Sequence, residues 1–354
     1  MRRDFGVVRI FMVAIIFLSV TACTTQADFT SAEKAYKSKD YKTAFRQSKA
    51  LADKGDVKAQ LMLGTMYENG EGTPQDFNEA IRLYRKLAEQ GVAAAQCYLG
   101  LVYLDGKGVA KDAKSASDWL RKSADSGFAH AQDILGNLYL NGDGVPQDFD
   151  QASKWFHKAA EQGYVNAQYN IGVQYQYGKG VAQSATEAIK WYRMAAEQGH
   201  VTAQNKLGHL YNDAQDFKEG EKWYRKAAEH GDAGSQVNLG FMYLNGEGVL
   251  TDNKEAAMWF KKAVAQGSAE GMGNLGLLYA TGEGVPKDYN EAAKLYAMAV
   301  EKNFAPAACG LAELYAQGLG VPQDKEKARK LCQAGYKAGV EDCKQIWEKY
   351  HLDN

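Results

Sequence analysis

The sequence predicts an all-α protein, an α-solenoid of about eight helix-turn-helix repeats. A tyrosine closes an L-G-x-x-Y-like core in every repeat, at Tyr67, Tyr103, Tyr139, Tyr175, Tyr211, Tyr243, Tyr279 and Tyr315. The step is 36 residues throughout, except for one step of 32 before Tyr243. A fixed period of this length is typical of a solenoid, whose units pack mainly against their neighbours. We therefore expect the 354 residues to form one elongated array rather than two globular domains.

Each repeat combines two helices, and residues 131–163 show them most clearly. In the first helix Ala131, Leu135 and Tyr139 recur at a spacing of four, which places them on one face. Gly136 lies inside this helix, where glycine costs about 1 kcal/mol relative to alanine. Its recurrence therefore predicts close approach of another helix. The expected neighbour is a bulky residue that recurs in the second helix, at Leu83, Trp119, Trp155, Trp191, Trp223, Trp259, Leu295 and Leu331.

A glycine-rich loop, residues 141–146, joins the two helices. Its glycines permit the left-handed conformation that ends a helix, and Pro146 prevents the first helix from restarting too early. Gly163 has the position of a glycine that terminates the second helix. The fifth repeat is four residues shorter between Tyr211 and Phe217, which accounts for the single step of 32.

The combined pattern A-Q-x-x-L-G-x-x-Y-x-x-G-x-G-V-x-x-D-x-x-x-A-x-x-W-x-x-K-A-A-x-x-G resembles the Sel-1-like repeat, a relative of the tetratricopeptide repeat. The resemblance covers residues 59–338 as eight units: 59–94, 95–130, 131–166, 167–202, 203–234, 235–270, 271–306 and 307–338. It implies a right-handed α-solenoid that binds other proteins and has no catalytic activity of its own. The short fifth unit is closer to a tetratricopeptide unit.

The N-terminus has the features of an export signal. Arginines precede an apolar run, residues 10–20, which is too short to span a bilayer as a mature helix. The next residues, Val20-Thr21-Ala22-Cys23, resemble the bacterial lipobox, so residues 1–22 are the predicted signal peptide and Cys23 the lipidated residue. Ordinary cleaved secretion and an uncleaved anchor are the alternatives. Thr24, in place of aspartate, favours an outer-membrane lipid anchor that faces the periplasm or the cell surface. A tether, residues 23–28, would follow.

Helical caps are expected at both ends of the array. Residues 29–58 form a divergent helical pair, with a helix start at Thr30 or Ser31 and a turn at Lys39-Asp40. Residues 339–354 contain a lone capping helix, predicted from Glu341 to Tyr350. Polar outer faces at the ends keep a repeat array soluble.

Four cysteines follow Cys23, and an exported protein meets an oxidising compartment. Cys332 lies near the end of a second helix and Cys343 near the start of the capping helix, so antiparallel helices would bring the two within bonding distance. A disulfide between Cys332 and Cys343 is the first expectation. A Cys309–Cys332 bond and buried free thiols are the alternatives, and Cys97 lies far away along the array.

Charge argues against nucleic acid as a partner. The net charge is −1, whereas a nucleic-acid-binding protein presents a strongly basic face. A basic pair recurs late in the second helix, at Arg85-Lys86, Arg121-Lys122, Arg225-Lys226 and Lys261-Lys262. We expect these pairs to form a solvated outer ridge.

Catalytic signals are weak. Ser31-Ala32-Glu33-Lys34 matches the S-x-x-K motif of penicillin-binding enzymes, but no S-D-N or K-T-G partner follows and the motif falls at a predicted helix cap. The six histidines show no metal-binding spacing. The repeated G-x-G lacks the Lys-Ser/Thr of a phosphate-binding loop. We expect no enzyme activity, no cofactor, no metal and no small-molecule substrate.

The expected binding surface is the concave face, which first helices line in tetratricopeptide-like arrays. Asparagines recur there, and an amide both donates to and accepts from an extended peptide backbone. Aromatic side chains among them supply interface anchors. The candidate residues are Asn137, Tyr169, Asn170, Val173, Tyr177, Asn205, His209, Asn238, Phe241 and Asn274.

The sequence therefore favours a membrane-anchored scaffold or adaptor that docks a protein or peptide partner. A host-facing virulence factor that binds a host protein is one alternative. A cell-wall hydrolase or β-lactamase-like enzyme is a second, and a purely structural spacer is a third.

Overall fold

The computed structural model describes residues 26–352. Within this range the chain forms nineteen helices and no strand. The helices are α1 Gln26–Lys37, α2 Tyr41–Ala52, α3 Val57–Asn69, α4 Phe77–Glu89, α5 Ala93–Asp105, α6 Ala113–Asp125, α7 Ala129–Asn141, α8 Phe149–Glu161, α9 Val165–Tyr177, α10 Ala185–Glu197, α11 Val201–Asp213, α12 Phe217–Glu229, α13 Ala233–Asn245, α14 Asn253–Ala265, α15 Ala269–Thr281, α16 Tyr289–Glu301, α17 Ala305–Gln317, α18 Lys325–Lys337 and α19 Asp342–Lys349.

The protein is an all-helical solenoid, and the helices fall into two compact units, Met1–Ser184 and Ala185–Asn354. In the first unit, α1 to α4 share a core that includes Phe29 and Met62. In the second unit, a larger core runs from α13 to α17 and includes Phe260 and Tyr296. In both units each helix packs against the next one in sequence, as expected when every helix has one apolar face.

In six of the repeats a glycine inside the first helix contacts a large side chain of the second helix and so joins the helix pair. A Cβ on Gly136 would lie 2.6 Å from Cε1 of Phe156, so the phenyl ring occupies the space of a side chain. The predicted neighbour, Trp155, is therefore wrong by one residue. A step of one residue turns a side chain by about 100° around the helix, and Trp259 accordingly packs with Ala228 of the preceding repeat. The same glycine contact joins Gly64 to Tyr84, Gly100 to Leu120, Gly208 to Tyr224, Gly240 to Phe260 and Gly276 to Tyr296.

The glutamine of the A-Q pair connects one repeat to the next. Gln132 Nε2 donates to the carbonyl oxygen of Ala124, 3.0 Å away in the last turn of α6. Carbonyls there have no partner inside their own helix. Gln162 donates in turn to Gln132 Oε1 at 2.8 Å. Equivalent bonds join Gln60 to Ala52, Gln96 to Ala88, Gln168 to Ala160, Gln204 to Ala196 and Gln236 to Ala228.

The basic ridge of the second helices has a structural role as well as a solvated one. Arg225 Nη2 donates to the hydroxyl of Tyr243 in the next first helix, at 2.8 Å. Lys226 Nζ lies 4.5 Å from the ring centroid of Trp223, a cation–π distance. Arginine–tyrosine bonds also join Arg85 to Tyr103, Arg121 to Tyr139 and Arg193 to Tyr211. The L-G-x-x-Y tyrosine thus binds a neighbouring repeat through its hydroxyl.

The loops end the first helices as the sequence predicts. Gly142 has φ 79° and follows α7, and its N–H donates to the carbonyl oxygen of Leu138. The fifth repeat departs from this pattern, because Ala214 ends α11 and Gln215, with φ 60°, leads directly to Asp216, which caps α12. The four-residue deletion therefore removes the left-handed glycine together with the loop.

The N-terminal prediction needs one correction. The helix starts at Gln26 and not at Thr30 or Ser31. Phe29 is buried in the first core, so the apolar face of α1 extends before the predicted cap. Residues 26–28 of the predicted tether are consequently helical. The turn at Lys39 is present, with φ 62°, and Asp40 caps α2.

The interior glycines give a direct test of the packing. Gly240→Ala should destabilise the protein by about 1–3 kcal/mol, because the new Cβ would lie 2.5 Å from Cε1 of Phe260. Gly234→Ala, in the same helix, meets no atom closer than 3.5 Å and should be neutral or stabilising by up to about 1 kcal/mol. Thermal unfolding followed by circular dichroism measures both. Equal melting temperatures for the two variants would contradict the proposed contact.

Candidate functional site

Asn170 is predicted to line a groove, and the structure contradicts this. Its side chain is 5% exposed, and Nδ2 donates to Asp133 Oδ1 at 2.8 Å. Asp133 is itself 6% exposed, and a buried carboxylate needs donors of this kind. The amide of Asn170 therefore joins α9 to α7 and is not presented to a peptide.

Asn205 also serves the fold. Its Nδ2 donates to Asp232 Oδ1 at 3.1 Å and to Ser235 Oγ at 2.8 Å. Asp232 caps α13, because the same Oδ1 accepts the backbone N–H of Ser235. Asn205 thus ties α11 to the start of the next first helix.

The other three asparagines are more accessible than Asn170, which is 5% exposed. Asn137, Asn238 and Asn274 are each half-buried. Asn137 and Asn274 donate to backbone carbonyl oxygens one turn earlier, those of Asp133 and Glu270, both at 2.9 Å. These local bonds orient the amides along their helices.

The predicted aromatic anchors differ in exposure. Tyr177, at the end of α9, is 56% exposed, whereas Tyr169 and Val173 in the same helix are half-buried. Phe241 packs edge-to-face on Phe260, with ring centroids 5.6 Å apart. Tyr177 is therefore the most exposed of the three predicted aromatic anchors, since Tyr169 and Phe241 are both half-buried.

His209 lies on the exposed side of α11. Its Nδ1 is 2.9 Å from the hydroxyl of Tyr224, the ring that packs on Gly208. Desolvation of the imidazole lowers the pKa of His209, and the charge of Lys206 lowers it further, against the opposite effect of nearby aspartates. His209 is thus neutral at pH 7 and polar without being cationic.

A cleft that the sequence analysis missed lies between α15, α17 and α19. Its volume is about 420 Å³, and Asn274 is the predicted groove residue in its lining. The exposed apolar side chain there is Leu277, 49% accessible. Glu313 contributes a carboxylate whose Oε1 accepts from Lys349 Nζ and from the Tyr350 hydroxyl, both at 2.9 Å. No sequence pattern marks this cleft, because it needs the irregular last helix.

The charge of Glu313 is stabilised by these partners. Burial would raise the pKa of its carboxyl, but the hydrogen bonds from Lys349 and Tyr350 and the charge of Lys349 outweigh burial and lower it. Glu313 therefore carries a negative charge at pH 7, and the resulting stabilisation is lost as the pH falls below the usual glutamate range, about 4.3.

The predicted Cys332–Cys343 disulfide is wrong. The structure joins Cys309 of α17 to Cys343 of α19, while Cys332 and Cys97 are buried and form no disulfide. The last helix lies against α17 as well as α18, so its cysteine reaches the first helix of the final repeat. A disulfide closing a loop of 34 residues stabilises a protein by about 3–4 kcal/mol.

A cysteine and a histidine meet inside the first unit. Cys97 Sγ lies 3.7 Å from His130 Nδ1, and the two side chains are 0% and 4% exposed. Such a pair forms a nucleophile in cysteine hydrolases, but complete burial keeps a substrate away from this thiol. The imidazole ring of His130 packs beside the ring of Tyr164, with centroids 5.6 Å apart, which helps to enclose the pair.

The remaining catalytic candidate is Ser31. It is exposed in the middle of α1, not at a helix cap, and its Oγ accepts a hydrogen bond from Gln47 Nε2 at 3.1 Å. Lys34 follows one turn later, also exposed.

In residues 26–352 no cluster of three or more acidic, histidine or cysteine side chains has a geometry suited to a metal ion. None of the helices described has the length and apolar character needed to cross a membrane, and Cys23 lies outside the described residues.

The two kinds of asparagine can be separated by stability. Asn170→Ala should destabilise the protein by about 1–3 kcal/mol, because it leaves the buried carboxylate of Asp133 without this donor. Asn274→Ala, on a more exposed surface, should change stability by less than about 0.5 kcal/mol. Urea unfolding of the two variants measures the difference. A neutral Asn170→Ala variant would return this residue to the set of binding candidates.

Comparison with known proteins identifies the repeats. The model of the Sel1 repeat matches residues 57–92, 93–128, 129–164, 165–200, 201–232, 233–268, 269–304 and 305–340. These units begin two residues before those chosen from the sequence, and the fifth is again 32 residues long. No curated protein matches the chain.

Two solved structures are similar over most of the chain. The first is c5321, a protective antigen present in uropathogenic Escherichia coli strains that displays an SLR fold. It is 34% identical, with a TM-score of 0.82, over 87% of this chain and 67% of that one. The second is a Sel1 repeat protein from Oxalobacter formigenes, 28% identical, with a TM-score of 0.65, over 95% and 99% of the two chains. Sel1-repeat proteins are generally non-catalytic scaffolds that bind other proteins. With eight consecutive matching repeats, this chain belongs to the Sel1 repeat family.

Proposed function

We propose that this protein is a membrane-anchored, non-catalytic adaptor that docks a partner protein or peptide on its first helices. The observation that carries the proposal is the exposure of large apolar side chains on first helices, Tyr177 in α9 of the first unit and Leu277 in α15 of the second. Accessible aromatic and aliphatic anchors beside half-exposed amides are what a protein interface uses. Asn170 and Asn205 are assigned to the fold and leave the proposed surface.

The anchor in this proposal is the lipidated Cys23, after removal of residues 1–22. Several acyl chains on one cysteine suffice for stable attachment to a membrane. The Cys309–Cys343 disulfide supports an oxidising compartment, because disulfides persist there and are rare in the cytosol. We place the protein in the bacterial envelope, on the outer membrane, facing the periplasm or the cell surface.

A host-facing role is the second candidate, and one observation favours it. The E. coli relative is a protective antigen, 34% identical to this chain. An antigen of that kind fits an envelope or surface location. In this version of the proposal the partner is a host protein, and the docking surface is unchanged.

Crosslinking in cells tests the adaptor function. A photo-reactive amino acid at Leu277 or at Tyr177 should capture a discrete partner, because both positions are exposed on first helices. The same amino acid at Lys114, whose side chain is 83% exposed on the second helix α6, is the matched control and should capture none. Mass spectrometry identifies the captured protein.

The anchor is tested in the same cells with Cys23→Ser. Capture that is lost in this variant supports an adaptor confined to the membrane. Capture only after host extract is added supports the host-facing version. If neither Leu277 nor Tyr177 captures more than Lys114 does, the adaptor function is wrong and a structural spacer fits better.

A further inference from the structure

We infer that the cleft between α15, α17 and α19 binds an extended peptide segment in which large apolar side chains alternate with lysine or arginine. The Cys309–Cys343 disulfide holds α19, which forms one wall of this cleft, in place. The inference rests on the proposed scaffold function and assigns it a site and a partner chemistry. The predicted binding site was a set of recurring asparagines on first helices. This inference places the site instead in a cleft near the C-terminal end of the second unit.

The shape of the cleft depends on two glycines in first helices. A Cβ on Gly273 would lie 2.5 Å from Cε1 of Phe304, and a Cβ on Gly310 would lie 2.6 Å from Cζ of Tyr296. The two aromatic rings therefore lie directly on the helix backbones and form the floor. The volume of about 420 Å³ is within the range of ligand pockets and holds one or two large side chains.

Each of the two walls of the cleft contributes an apolar side chain. Leu277 of α15 is 49% exposed, and Ile346 of α19 is half-buried on the opposite wall. Phe304 and Pro306 complete the apolar lining. Leu277 faces other apolar side chains across an open cleft and is half exposed to water. When an apolar side chain of a partner enters the cleft, this leucine surface is removed from water, which favours binding.

The charges of the cleft select a cation. Lys349 is neutralised by its ion pair with Glu313 at 2.9 Å. Asp342 adds a second carboxylate, from α19, so the lining residues carry two negative charges against the one positive charge of Lys349. The exposed Glu270, outside the lining, lies one turn before Asn274 on α15. The lining thus has a surplus of negative charge, which complements lysine or arginine next to the inserted apolar residue.

The polar groups between the charges suit a peptide backbone. Asn274 of α15 and Gln345 of α19 line opposite walls. Side-chain amides offer both a donor and an acceptor, the two groups that an extended backbone presents in alternation. An extended chain is therefore favoured over a helix, whose backbone groups are already paired.

The wall formed by α19 depends on the disulfide. This helix has eight residues, too few to be stable alone, and it packs against α17 and α18. Cys343 is its buried residue, bonded to Cys309, and a Cβ on Gly335 of α18 would lie 2.2 Å from the sulfur of Cys343. Without the bond, α19 keeps the packing of Ile346 and Trp347 and the bonds to Glu313, but it loses the covalent link that fixes its distance from α17. The positions of Ile346 and Asp342 in the wall then depend on these weaker contacts alone.

Fluorescence anisotropy tests the site with the full mature chain carrying Cys23→Ser. The probe is an eight-residue labelled peptide in which leucine alternates with lysine, and the comparison peptide alternates leucine with glutamate. We expect saturable binding of the lysine peptide, at least tenfold tighter than binding of the glutamate peptide, with an affinity that falls as salt rises. Equal binding of the two peptides would overturn the assigned chemistry.

Leu277→Ser should weaken binding of the lysine peptide about tenfold, because a half-exposed leucine no longer becomes buried. The matched control is Leu250→Ser, which changes a 90% exposed leucine of the same unit that does not line the cleft. Asp342→Asn should weaken binding by a smaller factor and reduce its salt dependence. Identical affinities for the two leucine variants would overturn the site.

Cys343→Ser should weaken binding at least tenfold, whereas Cys332→Ser, which removes a buried free thiol, should leave it unchanged. Treatment of the unaltered chain with dithiothreitol gives a second measurement without a mutation. The dithiol transfers two electrons and two protons to the disulfide, which becomes two thiols, and the reagent becomes a cyclic disulfide. Unchanged affinity after reduction, with α-helical circular dichroism retained, would overturn the role of the disulfide.

The two proposals fail in different ways. If Tyr177 captures a partner in cells while the lysine peptide does not bind, the adaptor function stands and the cleft is wrong. If the peptide binds through Leu277 but no partner is captured in cells, the cleft stands and the adaptor function is wrong. Crosslinking of one copy of the chain to another at Leu277 would show a self-interface and overturn the peptide inference.

Discussion

The helix pairs of this protein depend on the contact between a glycine in the first helix and the large side chain that lies on it, which is present in six of the repeats. Without a Cβ, the backbone of the first helix comes close enough for a ring such as Phe156 or Phe260 to fill the space. The glycine costs helix propensity, but the buried ring more than offsets that cost. This contact fixes the distance between the two helices of a pair. The contacts between neighbouring repeats depend on that distance.

The contacts between repeats use polar groups that the packing places at repeated positions. The glutamine after the first alanine binds carbonyl oxygens at the end of the preceding second helix, as Gln132 does for Ala124. The arginine late in the second helix reaches a tyrosine hydroxyl of the next repeat, as Arg225 does for Tyr243. Both bonds link a side chain of one repeat to a polar group of its neighbour, a carbonyl oxygen at a helix end or the hydroxyl of a half-buried tyrosine.

These requirements of the fold limit which side chains remain for a partner. Asn170 and Asn205 have the residue type of a peptide-binding amide, yet each already binds the next or the preceding first helix. Large apolar side chains that stay exposed on first helices include Tyr177 at the end of α9 and Leu277 in the cleft that α19 completes. A partner is therefore expected at positions that the contacts within and between repeats do not use.

The sequence by itself determined the helices, the eight repeats, the short fifth loop and the glycine contacts, because a period of 36 residues repeats the same local chemistry eight times. It did not determine which residue of the second helix meets the glycine, since Trp155 and Phe156 are both large and apolar and only their rotation around the helix separates them. The partner of Cys343 and the burial of Asn170 were also decided by tertiary structure. Both depend on distances between helices that are 34 or more residues apart, and no local pattern encodes such distances.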